Sequence, residues 1–296
     1  MKKNKVLIAG GGGNIGRPLY DSLCKKENIT MLVNNSKPLS GDYINLNLLD
    51  FEKIINFVKN NKKFDVLIFL VGLAHKKGKK SDFEEFNSLN FITLKNLTDI
   101  FIKYDKVPSK IIFTSTISVY GERLNIDSYT EDVLPRPKTP YAITKFKAEE
   151  YLRNKFDSSY WILRLAPVYS SSFKLNINRR TKIIGRNFLV GDGNVKLSLC
   201  HQNNIISIIE SIIAGEIDSG TYNLSDEKIY TYIDLHEYQK NDYFFKIPKF
   251  IVKFYLFIGK IIKNNFLIEN SIKLISDNIY PSEKIARQKI LIHKIK

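Results

Sequence analysis

A tyrosine and a lysine stand four residues apart, at Tyr141 and Lys145. On a helix this spacing places both side chains on one face, where the ammonium can favour the ionised form of the phenol. A free phenol has a pKa of about 10 and is a poor base at neutral pH, so such a neighbour would tune it. The pair predicts a tyrosine that works as acid and base. The alternative is an exposed Tyr and Lys that share a face by chance.

A glycine-rich turn near the N-terminus suggests what this pair works with. The turn, Gly10–Gly16, follows a short apolar run, Val6–Ala9, and contains a G-x-G-x-x-G pattern that starts at Gly11. Such a turn lets a pyrophosphate approach the backbone, while the next helix offers its N–H groups. A plain tight turn is the alternative. Together with the hydroxyl cluster Thr114–Thr116, the turn and the Tyr-Lys pair predict a nicotinamide-dependent enzyme.

The second predicted strand is followed by Asn34 and Asn35, at the place where dinucleotide-binding domains usually carry an acidic residue for the adenosine ribose. An asparagine can still form a hydrogen bond with a 2′-hydroxyl, and without a carboxylate a 2′-phosphate would not be repelled. The sequence therefore favours NAD and leaves NADP open.

Apolar runs of strand length alternate with helical patterns through the first half of the chain. The predicted strands are Val6–Ala9, Ile29–Val33, Val66–Val71, Lys110–Thr114 and Trp161–Leu165, and the predicted helices are Ile15–Lys26, Phe51–Asn60, Phe83–Tyr104 and Tyr141–Phe156. This alternation predicts an α/β fold with a Rossmann-type doubly wound parallel sheet. Three prolines make residues 127–140 a loop that leads to Tyr141.

The pattern changes after Ala166. Residues 170–180 are polar and predicted to be irregular, residues 191–194 form a Gly-Asp-Gly-Asn turn, and a helix is predicted at Asn204–Ala214. We predict an NAD(P)-binding Rossmann domain at residues 1–166. Residues 167–296 are predicted to form a smaller substrate-binding region, which can return strands or helices to the first domain.

Composition limits the class of protein. The chain has 296 residues, of which 44% are hydrophobic, so it can bury a full core. Its two cysteines are too few for a disulfide framework or a thiolate metal site, and we expect no metal and a cytoplasmic location. The formal charge of +16 is spread along the chain without an arginine-rich tract, which argues against nucleic-acid binding.

Residues 249–265 form a basic and apolar stretch near the C-terminus. A helix of this kind can lie on an anionic membrane surface, which would give weak peripheral contact at the inner face of the membrane. The more frequent explanation is a helix that packs within the substrate region and has a solvated edge, and the sequence favours it. The repeated lysines argue against a membrane span.

These motifs together resemble the extended short-chain dehydrogenase/reductase family, specifically its sugar-nucleotide epimerases and dehydratases such as UDP-galactose 4-epimerase. The resemblance runs along nearly the whole chain. Its segments are Gly10–Gly16, Leu70–His75, Asn90 with Asn96-Leu97, Phe113–Gly121, Pro140–Lys145 with Glu149, Leu163-Arg164, Gly191–Gly193 and Gly220–Leu224.

The resemblance implies a role for each matching residue. Tyr141 would be the acid and base, Lys145 would hold the nicotinamide ribose, and Thr116 would contact the reacting sugar oxygen. His75 and Ser118 would line the sugar pocket with them. The implied cofactor contacts are Gly10, Gly13, Asn14, Ile15, Gly16, Asn34, Asn47, Leu48, Leu70, Val71, Gly72, Asn90, Tyr141 and Lys145.

The implied activity is epimerisation of a UDP-hexose or UDP-N-acetylhexosamine through a transient 4-keto sugar, for surface polysaccharide synthesis by a homodimer. Dehydratases of this family carry an Asp-Glu pair after the active-site Thr. Ile117 and Ser118 follow Thr116 here, so dehydration is disfavoured. Reduction of a 4-keto sugar nucleotide is the alternative reaction. A non-catalytic cofactor-sensing protein is the alternative of another class.

Overall fold

A computed structural model describes residues 3–34, 43–73, 83–241 and 243–295. Within these residues the strands are β1 Lys5–Ala9, β2 Asn28–Val33, β3 Tyr43–Asn45, β4 Val66–Phe69, β5 Lys110–Thr116, β6 Tyr160–Leu165, β7 Val168–Tyr169, β8 Lys182–Ile183, β9 Arg186–Val190, β10 Lys196–Leu197, β11 Cys200–His201, β12 Gly220–Leu224, β13 Tyr230–Thr231 and β14 Phe245–Ile247. The helices are α1 Gly16–Leu23, α2 Phe51–Asn60, α3 Phe83–Asn87, α4 Thr93–Lys103, α5 Pro140–Lys155, α6 Leu175–Thr181, α7 Gln202–Ala214, α8 Tyr232–Tyr238, α9 Lys249–Ile261, α10 Asn265–Ile275 and α11 Glu283–Ala286.

Seven of the described strands form one sheet in the order β12-β6-β5-β4-β1-β2-β3. The registers of β1 with β2 and β4, of β2 with β3, and of β4 with β5 are parallel. Strands β1, β4 and β5 are almost wholly buried, and β1, β4 and the first half of β5 are mainly apolar, as expected where helices cover both faces of a parallel sheet. The predicted doubly wound α/β fold is confirmed.

The strand order reverses between β1 and β4, which are neighbours in the sheet but not in the chain. In such sheets a crevice forms outside the carboxyl ends of the strands at this switch point, and ligands bind there. Three segments singled out in the sequence follow or end these strands: the glycine turn after β1, Leu70–Gly72 after β4, and Thr114–Thr116 at the end of β5. The topology therefore places these three segments of the predicted site at the same edge of the sheet.

The helix predicted at Phe83–Tyr104 is interrupted. It consists of α3, a π-helical segment at Ser88–Ile92, and α4. π-Helical segments are rare and often occur at functional sites. Asn90, one of the predicted cofactor contacts, lies within this segment and is fully buried.

The described chain forms two compact units. The first unit comprises Met1–Thr116, Pro140–Leu163 and Ile206–Thr221, and the second comprises Ile117–Thr139, Arg164–Ile205 and Tyr222–Lys296. The chain passes between the two units several times, so a single boundary after residue 166 does not separate them. The roles predicted for the two parts of the chain stay predictions.

The second unit has its own core, built on buried side chains such as Tyr169, Ile177 and Tyr230. Ile177 belongs to α6, so the prediction of an irregular segment over residues 170–180 was wrong for its second half. A buried carboxylate, Asp226, accepts hydrogen bonds from the hydroxyls of Tyr169 and Tyr230 at 2.7 and 2.8 Å. These bonds compensate part of the cost of burying a charge.

The C-terminal stretch forms a pair of helices, α9 and α10, within the second unit. A Cβ at Gly259 would lie 3.2 to 3.3 Å from atoms of Leu267 and Ile268, so this glycine allows the two helices to approach closely. Val252, on α9, packs against Phe188 and Val190 of β9. None of the helices formed by the described residues is both long and apolar enough to cross a membrane.

Candidate active site

The glycine turn is held against the end of the sheet by its own backbone. The N–H groups of Gly10 and Gly11 both donate to the Leu32 carbonyl, at 3.0 and 3.3 Å, and the Gly13 N–H donates to the Gly10 carbonyl at 3.1 Å. Gly10 has a φ of 88°, a conformation that favours glycine. A Cβ at Gly16 would lie 2.7 Å from backbone atoms of the turn, so α1 can begin there only with glycine.

Gly13 has no such structural reason to be glycine. It is exposed, its φ lies outside the left-handed region, and a Cβ on it would meet only the Gly10 carbonyl oxygen, at 3.4 Å. The turn therefore keeps an open surface beside the first-turn N–H groups of α1. This is the arrangement in which a pyrophosphate can approach the backbone, so the turn fits a dinucleotide.

The loop after β4 lies directly beside the turn. A Cβ at Gly10 would be 3.0 Å from the Val71 nitrogen and 3.1 Å from the Leu70 carbonyl carbon. The next residue, Gly72, is exposed, and a Cβ there would lie 3.0 Å from the Lys145 Nζ. Gly72 thus leaves room beside the lysine ammonium.

Thr116 and Tyr141 are brought together at the end of β5 and the start of α5. Pro140 opens this helix, a position where proline is well tolerated because its missing N–H has no partner in the helix. The side chains of Thr116 and Tyr141 are hydrogen-bonded to each other. Burial raises the pKa of Tyr141 to about 12, and the Thr116 hydrogen bond lowers it only in part.

Lys145 is buried on the same face of α5. Its ammonium donates to the Thr114 carbonyl at 2.9 Å and to the Val71 carbonyl at 3.3 Å, which ties the helix to the ends of β5 and β4. Burial lowers the pKa of Lys145 to about 7, and the nearby Glu149 carboxylate opposes this shift.

These protonation states correct one expectation. The sequence predicts that the Lys145 ammonium holds the Tyr141 phenol partly as phenolate. In the protein alone the phenol stays protonated at neutral pH, because desolvation outweighs every other influence on its pKa. Any lowering of the Tyr141 pKa has to come with bound molecules.

A buried carboxylate, that of Glu149, lies on the same face of α5, and the sequence predicted no role for it. Glu149 is fully buried, accepts a hydrogen bond from the Ser115 hydroxyl at 2.5 Å and forms an ion pair with Arg153 at 2.6 Å. The signal was present in the spacing, since 141, 145, 149 and 153 repeat every four residues along one face of a helix.

Asn90 links the π-helical segment to two parts of the site. Its side-chain oxygen accepts from the Leu73 N–H at 2.7 Å, and its amide donates to the Thr144 hydroxyl at 3.1 Å. Its oxygen would lie 3.3 Å from a Cβ on Gly72. Asn90 therefore fixes the loop after β4 relative to α5.

The remaining predicted residues occupy different places. Asn14, Ile15 and Asn34 lie at the turn and the end of β2, and Asn34 is exposed. Asn47 bonds the Leu49 N–H through its side chain, and Leu48 is buried next to it. Ser118 lies in a short 3-10 turn of the second unit, Ile117–Tyr120, and its role stays a prediction. His75 lies outside the described residues. Asn35 also lies outside them.

Comparison with known proteins adds a family assignment. Residues 6–224 match the model of the NAD dependent epimerase/dehydratase family. A protein of Methanocaldococcus jannaschii, provisionally named a UDP-glucose 4-epimerase, is 27% identical over 177 residues, which cover 55% of this chain and 56% of that protein. The match thus spans about half the length of this relative.

Solved structures share the fold over a larger part of the chain. A UDP-glucose 4-epimerase from Thermotoga maritima with UDP-glucose has a TM-score of 0.70 at 19% identity, covering 96% of this chain and 91% of that one. A UDP-glucuronic acid 4-epimerase from Bacillus cereus with NAD has a TM-score of 0.72 at 18% identity, covering 99% and 92%. A UDP-N-acetylglucosamine 4-epimerase from Methanobrevibacter ruminantium, with UDP-N-acetylmuramic acid, has a TM-score of 0.66 at 24% identity, covering 84% and 86%.

Proposed function

The chain belongs to the NAD-dependent epimerase/dehydratase family, and from this premise we propose that it is an NAD-dependent nucleotide-sugar 4-epimerase. One observation carries the proposal. The hydroxyl of Thr116, the phenol of Tyr141 and the ammonium of Lys145 meet at the carboxyl ends of β4 and β5, beside a glycine turn that fits a dinucleotide. No other group of described residues supports this chemistry as directly.

Tyr141 is the proposed acid and base. Its phenolate form, which bound molecules have to favour, takes the proton of the sugar 4-hydroxyl, and the resulting phenol returns the proton later. The Thr116 hydroxyl binds the same sugar oxygen and orients it. NAD, when bound, would supply the nicotinamide C4 that accepts the hydride leaving the sugar C4. The hydrogen bond between Thr116 and Tyr141 already holds the two hydroxyls within reach of one substrate oxygen.

Lys145 and the glycines are proposed to hold the cofactor. Lys145 has two carbonyl partners, at Thr114 and Val71, which fix its ammonium next to the exposed Gly72, where the nicotinamide ribose would bind. Because Gly13 has no side chain, the pyrophosphate can come close to the backbone of the turn. Asn34 is the candidate partner of the adenosine ribose, because it follows β2 and is exposed.

The proposed substrate is a UDP-hexose or UDP-N-acetylhexosamine used for surface polysaccharide. The solved relatives with UDP-sugars in their names support this class. The second unit, including Ser118, is the proposed binding region for the sugar nucleotide. We also propose a cytoplasmic homodimer that pairs through α3, α4 and α5, a proposal that is supported by the family resemblance.

A paired substitution tests the catalytic assignment. Tyr141→Phe is expected to lower turnover by about 10²- to 10⁴-fold while NAD binding is kept, because only the proton donor is removed. Tyr151→Phe is the matched control on the same helix. Its hydroxyl bonds Asp99 and Thr98, so its loss is expected to affect stability but not turnover.

The substrate is tested with the purified protein and no added cofactor. Tightly retained NAD, together with conversion of UDP-N-acetylglucosamine or UDP-glucose to its 4-epimer, would support the proposal. Turnover only of a 4-keto sugar nucleotide with added NADPH would identify a reductase instead. Nucleotide binding without any turnover, unchanged in Tyr141→Phe, would identify a cofactor-sensing protein.

A further inference from the structure

Helix α9 carries two apolar stripes, and the fold uses only one of them. Val252, Leu256 and Gly259 are its buried residues. At about 100° per residue, these three positions share one side of the helix. They pack α9 against its neighbours in the second unit, as Val252 does on Phe188 and Val190.

The second stripe lies on the opposite side of the same helix. Its members repeat at intervals of four, three and four residues, and each is between 59% and 69% exposed: Phe250, Phe254, Phe257 and Ile261. We call these four residues the outer stripe. A helix that is apolar all round is normally buried, and single exposed apolar residues need no explanation. Four aligned residues, three of them phenylalanine, form a patch of the kind that marks an interaction site.

Lysines flank the outer stripe. Lys249, Lys253 and Lys260 follow one another along one edge of α9, about 90° from the stripe. Lys249 forms an ion pair with Asp192, whereas Lys253 and Lys260 are exposed. Residues 243–268 contain five lysines and no acidic residue. This segment of the chain therefore carries a net positive charge.

The charge of this surface decides between two occupants. In a symmetric dimer the same patch faces itself, so a second copy of this chain would bring the lysines of α9 close to their own counterparts, and like charges oppose such an interface. An anionic bilayer surface complements the lysines and accepts the phenylalanines. Lysines beside an apolar stripe can extend to the headgroups while the rings enter the acyl boundary.

We propose that the outer stripe of α9 and its flanking lysines dock the protein on the surface of an anionic membrane. The stripe enters the interface with α9 lying parallel to the bilayer, and Lys253 and Lys260 pair with lipid phosphates. Two exposed side chains beyond the stripe are also apolar: Ile262, directly after α9, is 57% exposed, and Phe266, at the start of α10, is 51% exposed. This binding does not depend on the catalytic function proposed above.

Vesicle cosedimentation tests the proposal with the full chain. With vesicles of about 30% phosphatidylglycerol in phosphatidylcholine, the wild type is expected to bind at least about tenfold more tightly than with phosphatidylcholine alone. Replacing Phe250, Phe254 and Phe257 by serine is expected to reduce binding at least about tenfold. Because these side chains are exposed, the variant should keep its circular dichroism spectrum.

Two further variants distinguish binding through the outer stripe from nonspecific hydrophobic binding. Lys253→Glu with Lys260→Glu is expected to abolish the preference for anionic vesicles and leaves the rings intact. Ile290→Ser with Ile292→Ser is the matched control, because both side chains are 72% exposed and lie outside α9. This control is expected to bind like the wild type.

Three results would overturn the proposal. The first is a wild type that does not bind anionic vesicles, and the second is binding that the serine and glutamate variants leave unchanged. The third is a dimer in analytical ultracentrifugation that the serine variant dissociates, which would make a second copy the occupant of the stripe.

Discussion

Burial shifts the pKa values of Tyr141 and Lys145 in opposite directions. It raises the pKa of Tyr141 to about 12 and lowers that of Lys145 to about 7. Both shifts favour the neutral form, as desolvation always does. At neutral pH the site therefore holds a protonated phenol and an ammonium that is close to losing its proton.

Lys145 should make stability depend on pH. Between its pKa of about 7 in the folded protein and its value of 10.5 in the unfolded chain, the unfolded state binds more protons, so stability rises with pH in this window. Relative to Lys145→Met, the free energy of unfolding of the wild type should rise by about 2 kcal/mol from about pH 7 to about pH 9. Urea denaturation at the two pH values measures this difference.

Lys147→Met is the control for this measurement, because Lys147 is exposed on the same helix. A wild-type curve that runs parallel to that of Lys145→Met would show that Lys145 has an ordinary pKa. Tyr141 does not disturb the comparison, because its raised pKa acts only above about pH 10.

The sequence could predict the chemical groups but not their protonation. The spacing of Tyr141 and Lys145 correctly placed them on one helix, since this depends only on local geometry. The raised pKa of Tyr141 in the protein alone could not be predicted, because the sequence contains no information about desolvation, which depends on residues distant in the chain. The hydrogen bond between Ser115 and Glu149 could not be predicted for the same reason, because the two residues lie 34 positions apart in the chain.

At the scale of elements, the turn between β1 and α1 separates two kinds of glycine. Gly16→Ala should lower stability by about 1 to 3 kcal/mol, because its Cβ would lie 2.7 Å from the turn backbone. Gly13→Ala should leave stability within about 1 kcal/mol but reduce retained NAD, because its Cβ fills the pyrophosphate approach. Urea denaturation and the nucleotide released on denaturation report the two effects.

The two variants also test whether the turn serves a ligand. If Gly13→Ala retains as much NAD as the wild type, the open surface at Gly13 is not the pyrophosphate approach. If Gly16→Ala unfolds like the wild type, the turn adapts more easily than its close contacts suggest.

Asn90 anchors a second element, the π-helical segment. Asn90→Ala should lower the free energy of unfolding by about 2 to 3 kcal/mol, because it leaves the Leu73 N–H and the Thr144 hydroxyl without this partner. Asn87→Ala, one turn earlier, removes only an exposed contact of 3.4 Å with Lys147 and should cost less than about 0.5 kcal/mol. Equal losses in urea denaturation would contradict the bridging role of Asn90.

Strands and helices with a strong pattern were predicted to within a few residues. The helix Phe51–Asn60 was predicted with its observed bounds, and Asp50 caps it by accepting from the Lys53 N–H. The π-helical segment in Ser88–Ile92 was not predicted, because its hydrophobic pattern does not differ from that of an α-helix. The short strands of the second unit were missed because two-residue strands have no periodicity.

At the scale of the whole molecule, the formal charge of +16 should affect how an anionic substrate arrives. For a UDP-sugar, kcat/KM is expected to fall several-fold from about 20 to about 300 mM KCl, because salt screens long-range attraction. The value of kcat should change little. Sucrose at equal osmolality is the control, and an equal fall in sucrose would exclude electrostatic attraction as the cause.

The order of the large sheet has a consequence for synthesis on the ribosome. Strand β6 lies between β5 and β12 in the sheet, yet β12 begins at Gly220, whereas β6 ends at Leu165. The ribosome adds about 5 to 20 residues per second, so β12 is synthesised roughly 3 to 11 s after β6. During this time the edge of β6 that pairs with β12 has no partner strand. The strand includes Trp161, Ile162 and Leu163, whose side chains are buried in the finished protein. During this interval the nascent chain carries an apolar strand with one unpaired edge, which is the kind of edge that pairs with other chains.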